Sequence, residues 1–170
     1  IDIMVKYLFI IFFIAIAKTA FAYDPGTAYD YITRYKATAL QNEKDYGIPA
    51  TIILAQGILE SGAGTSELTR VSNNHFGIKA GPKWKGKVHL VWDDEAQKSK
   101  FRCYDSAAES FQDHARLLST NSCYSSLFNI NIYDYRGWAF GLKKAGYATA
   151  PDYAQALIGI IDLYKLYEIN

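Results

Sequence analysis

Apolar residues follow two regimes along this chain. Residues 7–17 run apolar without a break, whereas beyond residue 26 apolar positions recur every three or four residues. The second spacing is one face of an α-helix. Over 27–46 the face is Ala28, Ile32, Tyr35 and Ala39, and Gly47 supplies the C′ stop. Pro49 suits the first helical position of the next element. Residues 50–59 are apolar nearly all round, which predicts a central buried helix. That helix runs into Glu60 and stops at Ser61-Gly62-Ala63-Gly64. A short helical turn over 66–70 follows. The segments 87–92 and 100–104 are β-rich and predict a hairpin joined through Asp93, Asp94 and Glu95. Ser106 and Glu109 form a capping box ahead of a helix that points Phe111, Ala115 and Leu118 inward. A helix over 133–145 is closed by Gly146. Pro151 opens the last helix, with Ala150 at its N-cap and Ala154, Leu157, Ile158, Ile161 and Tyr164 inward. The pattern predicts an α+β fold, mainly α, with one small hairpin.

The unbroken apolar run has a different explanation. Lys6 precedes it, and Ala20-Phe21-Ala22 follows as an A-x-A cleavage site, which is the pattern of a secretory signal. The run is too short to cross ~30 Å of hydrocarbon as a helix. The expectation is a cleaved signal peptide over 1–22, starting at Met4, and a single domain over 23–170. The product would be exported to the periplasm or beyond, with no stable membrane anchor, and would act as a monomer. Eighteen Lys+Arg against 17 Asp+Glu leave +1, so no polycationic surface for nucleic acid is implied. With 50% hydrophobic and 21% charged residues, disorder is excluded; four Pro and 12 Gly exclude a collagen-like fibre. Two cysteines, Cys103 and Cys123, permit one disulfide in an oxidising compartment, with two buried thiols as the equal alternative.

Glu60 carries the most chemistry. Burial at the end of an apolar helix disfavours its charged form. The partial negative charge of a helix C-terminus acts in the same direction. A carboxylic acid kept protonated near neutral pH is what a general acid for glycosidic cleavage requires. Gly62 and Gly64 let the backbone turn away and leave room for a substrate.

Four stretches sharpen this. They are Ala55-Gln56-Gly57-Ile58-Leu59-Glu60-Ser61-Gly62-Ala63-Gly64, Ser72-Asn73-Asn74-His75-Phe76-Gly77-Ile78-Lys79, Phe101-Arg102-Cys103-Tyr104-Asp105-Ser106 and Ala145-Gly146-Tyr147-Ala148-Thr149-Ala150-Pro151-Asp152-Tyr153-Ala154. In this order they resemble the glucosaminidase domain of glycoside hydrolase family 73. The resemblance implies a lysozyme-like fold with a small β-hairpin lobe. It also implies cleavage of the β-1,4 bond between N-acetylglucosamine and N-acetylmuramic acid in peptidoglycan. Glu60 then matches the general acid and Tyr147 the active-site tyrosine. Asn74 and Phe76 match a cleft-lining motif, the Asn amide suiting an acetamido or hydroxyl group. Tyr153 is a further cleft candidate, although a tyrosine inside a helix is more often core.

The family tends to place a second acid in the hairpin. Side chains alternate along a strand, so Asp93 and Glu95 would point one way and Asp94 the other; Glu95 is favoured, then Asp94. The family often has Asp where this chain has Ala150, a weaker N-cap by ~1 kcal/mol. His75, His89 and His114 are scattered, so neither metal nor cofactor is expected. Lys79, Lys83, Lys85 and Lys87 read as a solvated loop. A lytic transglycosylase or muramidase on the same fold, and a non-catalytic wall-binding domain, are the alternatives.

Overall fold

The apolar stripes read from the sequence meet one another around the second helix. The computed structural model describes residues 25–92 and 98–169. Helix α1 (Pro25–Tyr46) ends where Gly47 turns left-handed, at φ 71°. Helix α2 (Ala50–Ser61) buries ten of its 12 residues. It packs between α1 and α6 (Tyr153–Leu163), while α4 (Ala107–Thr120) leans on α1 and α5 (Tyr135–Lys144) on α6. A short α3 (Glu67–Ser72) follows α2, its N-cap Ser66 accepting from the Thr69 amide. Ile52, Ile53, Leu54, Ile58, Leu118, Trp138, Leu157 and Ile161 form the common core. Truncating any of these to Ala would cost about 2–5 kcal/mol, because an apolar cavity is left behind.

The hairpin lobe is built on one two-stranded antiparallel sheet, β1 (Val88–Trp92) and β2 (Lys98–Arg102). Its register pairs His89 with Phe101 and Leu90 with Lys100. Phe101 is buried on the inner face, while Val88, Leu90 and Trp92 stand exposed on the outer face. The Ala80 amide donates to the Lys100 carbonyl at 2.8 Å and the Arg102 amide to the Ile78 carbonyl at 3.0 Å, fastening β2 to the segment after α3.

Several sequence expectations move. Strand β2 starts and ends two residues before the predicted 100–104: Cys103 still bonds the Lys87 carbonyl in register, but the Tyr104 amide leaves the hairpin for the Ser72 carbonyl. Pro49 stands just ahead of α2 rather than inside it. The Ala50 amide donates instead to the Glu43 carboxylate at 2.6 Å. Helix α6 begins at Tyr153, so Ala150 is not its N-cap; it lies in a turn whose carbonyl receives the Tyr153 amide at 3.3 Å. The capping box at α4 closes on a neighbour: Ser106 caps the Glu109 amide, but Glu109 reaches back to the Asp105 amide at 3.1 Å. A 3₁₀ segment, Ser122–Asn129, shows no helical periodicity in sequence and plugs Tyr124 and Leu127 into the core. Cys103 is partly buried and Cys123 exposed, and both thiols are unpaired. Among the described residues no helix is long and apolar enough to cross a membrane. The predicted signal over 1–22 lies outside the described residues.

Candidate active site

Glu60 is the next-to-last residue of α2, where the backbone has already exhausted its helical donors. Directly after it, Gly62, Ala63 and Gly64 all adopt left-handed φ values of 60°, 53° and 82°. This sharp reversal takes the chain away from the carboxyl group. Ser61 stabilises it: the Ser61 hydroxyl donates to the Gly57 carbonyl and accepts from the Gly64 amide at 2.7 Å. Ala63 bears the only non-glycine side chain of that run, and such a conformation costs of order 1 kcal/mol for an alanine.

The Glu60 side chain is only partly exposed. Its Oε1 accepts a hydrogen bond from the Tyr153 hydroxyl at 3.2 Å. Burial pushes its pKa from 4.5 up to about 8, and the Tyr153 bond opposes this to a smaller degree. Glu60 is therefore protonated at neutral pH, as the sequence argument anticipates. Tyr153 is fully buried as the first residue of α6, and its hydroxyl also accepts from Gln56 Nε2 at 2.9 Å. Tyr147 stacks on Tyr153 with ring centroids 5.6 Å apart. Its own hydroxyl is buried with no hydrogen-bond partner among the described residues. Burial and the nearby Glu60 charge both hold the Tyr147 hydroxyl proton firmly, well above pH 10. Tyr124 and His114 close the far side of the Tyr147 ring at 6.1 and 6.0 Å.

The structure thus brings Glu60, Tyr147 and Tyr153 together and buries both Asn74 and Phe76. The Asn74 amide donates to the carbonyls of Ile78 and Arg102, at 3.0 and 2.9 Å, and accepts from the Ile78 amide at 3.0 Å. Both N–H groups are spent on backbone, so it clamps the hairpin lobe to the turn instead of holding a sugar. Phe76 is fully buried and stacks on the His114 ring at 3.9 Å, which removes it from any cleft. Asp93, Asp94 and Glu95 lie outside the described residues. Tyr147 and Tyr153 are likewise closed to solvent, so neither ring face is available for a sugar to stack on. Sequence reasoning missed Gln56. Its signal was available: one amide side chain at helical spacing, i to i+4, before the acid in an otherwise apolar helix.

A mainly helical, lysozyme-like domain with a protonated glutamate at the end of its central helix is the architecture of a glycoside hydrolase. Comparison with known proteins agrees. Residues 36–166 match the family described as mannosyl-glycoprotein endo-beta-N-acetylglucosaminidase, and the chain belongs to this glucosaminidase family. It is 34% identical over 165 residues to the peptidoglycan hydrolase FlgJ of Salmonella typhimurium, covering 89% of this chain and 52% of that protein. It is 35% identical over 135 residues to the exo-glucosaminidase LytG of Bacillus subtilis, covering 74% of this chain and 47% of that protein. The chain therefore spans about half the length of these relatives. Among solved structures, the glycoside hydrolase domain of Salmonella typhimurium FlgJ superposes with a TM-score of 0.67 at 35% identity, covering 81% of this chain and 88% of that one. A peptidoglycan hydrolase from Sphingomonas sp. A1 gives 0.71 at 31% identity, covering 82% and 91%.

Proposed function

We propose that this chain is an exported peptidoglycan hydrolase that cleaves the β-1,4 bond between N-acetylglucosamine and N-acetylmuramic acid as an endo-β-N-acetylglucosaminidase. The observation that carries this reading is the protonated Glu60, held by one oxygen on Tyr153 at the mouth of a left-handed turn. As general acid it donates its proton to the oxygen of the departing sugar while positive charge develops at the anomeric carbon. The low-polarity wall behind it keeps the acid neutral until the substrate arrives. Tyr147 supports that wall by packing on Tyr153. A hairpin carboxylate, Glu95 or Asp94, serves as base for water, or the substrate's own acetamido group attacks in its place.

The relatives named as peptidoglycan hydrolases support peptidoglycan as substrate, and an exported enzyme would meet that substrate outside the cytoplasm. The test is digestion of purified sacculi followed by mass spectrometry. New reducing-end N-acetylglucosamine supports the proposal. Anhydro-muropeptides point to a lytic transglycosylase and reducing-end N-acetylmuramic acid to a muramidase; either product overturns it. If the wild-type chain and Glu60→Gln both leave sacculi intact while binding them, the domain is a wall-binding module.

A further inference from the structure

Gln56 lies one helical turn before Glu60 on α2, fully buried in a helix otherwise lined by Ile, Leu and Ala. Burying an amide there is costly unless it is used. Its Nε2 donates to the Tyr153 hydroxyl at 2.9 Å, and the Tyr153 hydroxyl lies 3.2 Å from Glu60 Oε1. A phenol has one proton. An oxygen that accepts from Gln56 on one side directs its own O–H toward Glu60 on the other. The two bonds span residues 97 and 93 positions apart in the chain, so they form only in the folded domain.

We propose that Gln56 is a positioning residue that sets the direction of the hydrogen bond from Tyr153 to Glu60, and so determines which carboxyl oxygen delivers the proton. This rests on the reading of Glu60 as the general acid. With Oε1 accepting from Tyr153, the acidic proton resides on Oε2, which has no hydrogen-bond partner among the described residues. On cleavage the proton passes from Oε2 to the glycosidic oxygen. The electron pair left on Oε2 delocalises over both carboxylate oxygens, and the Tyr153 O–H on Oε1 stabilises the share of charge that arrives there. Groups packed beside the pair include Tyr147, with Tyr124 and His114 behind it. The hairpin acids Asp93, Asp94 and Glu95 lie outside the described residues.

Two readouts test the relay on the whole chain. One is the pH profile of kcat on peptidoglycan. The other is a carboxyl-carbon NMR titration of Glu60, assigned by its disappearance in Glu60→Gln. The variants are Gln56→Leu, similar in volume and uncharged, Tyr153→Phe, and the double variant. Losing the Tyr153 donor removes stabilisation of the carboxylate. In Tyr153→Phe the Glu60 titration and the alkaline limb of kcat move up by about one pH unit. In Gln56→Leu they move up by roughly half a unit, with kcat down about tenfold and KM unchanged. The double variant equals Tyr153→Phe, because Gln56 acts only through that phenol. A Gln56→Leu titration identical to wild type overturns the inference, as does a Gln56 effect that adds in full to Tyr153→Phe. If Gln56→Leu shows KM loss with unshifted titration, Gln56 is merely a packing residue. Should wild type prove inactive on peptidoglycan, the proposed function fails, yet the NMR titration still decides the relay.

Discussion

The end of α2 and the hairpin lobe are built in opposite ways. Behind Glu60 the wall is mostly buried aromatic and aliphatic side chains, and one polar relay runs from Gln56 through Tyr153. The hairpin has one covered face, with Val88, Leu90 and Trp92 left exposed on the other. It is held through discrete polar ties: the Asn74 clamp, and Asp113, which receives both Arg102 at 2.6 Å and Tyr104 at 2.7 Å. The difference teaches a division of labour. The helical side sets a protonation state, which needs low polarity and rigidity. The hairpin side sets a position, which a few directional bonds can specify and alter.

Removing the acid has the largest expected effect. Glu60→Gln should lower turnover of peptidoglycan by about 10²–10⁴-fold with little change in binding, measured by release of reducing ends. The same variant should be more stable than wild type at alkaline pH. A carboxyl whose folded pKa of about 8 exceeds its unfolded value of 4.5 destabilises the fold progressively as pH rises through that window. The gain at pH 9 is on the order of a few kcal/mol, read from denaturant midpoints.

Next comes the clamp. Asn74→Ala leaves the Ile78 amide and the Arg102 carbonyl without their Asn74 partner in a buried turn, and should cost roughly 1–3 kcal/mol of unfolding free energy. If instead Asn74→Ala stays fully stable and loses only substrate affinity, the assignment of Asn74 to structure fails. Asp113→Asn should cost about 1–2 kcal/mol, because Arg102 loses its charged partner in a half-covered site. The smallest effect belongs to the outer hairpin face: Leu90→Ser should change stability by no more than about 0.5 kcal/mol in thermal melts.

The two buried histidines give the comparison a pH dimension. Burial lowers His75 to about 4 and His114 to about 3. Their folded values lie below the ordinary 6.5, so their contribution is present above pH 6.5 and is lost as pH falls toward 4 and 3. Glu60 works in the other direction, losing stability from 4.5 upward. Below pH 6.5 the two histidines outweigh one glutamate, and above it the glutamate acts alone. Melting temperature should therefore peak near pH 6.5, and Glu60→Gln should flatten its alkaline side. A peak shape unchanged by that substitution would contradict the environment described for Glu60.

Much of the helical frame was legible in the chain. Gly47, Ser66, Ser106 and Gly146 mark helix ends because their roles are local: left-handed backbone or a side chain bonding an amide three residues away. Glu60 was legible for the same reason, as a carboxyl group at the end of an apolar stripe. Asn74 and Phe76 were read as cleft residues because a motif shows which residues occur together but not which way they face. Strand β2 ends before the predicted limit because Tyr104 finds the Ser72 carbonyl outside the hairpin, which no period-2 pattern encodes.

Legible in the chain were most helices, those ends set by a local glycine or side-chain cap, the apolar helix and the acid at its tip, since all depend on contacts within a few residues. The tertiary structure alone decided that Tyr153, 93 residues from Glu60, becomes its hydrogen-bond donor with Gln56 behind it, and that Asn74 faces backbone instead of solvent. The physical reason is that hydrogen-bond direction and burial belong to assembled surfaces. They are set only when α2 and α6 pack together and the hairpin closes on the turn after α3.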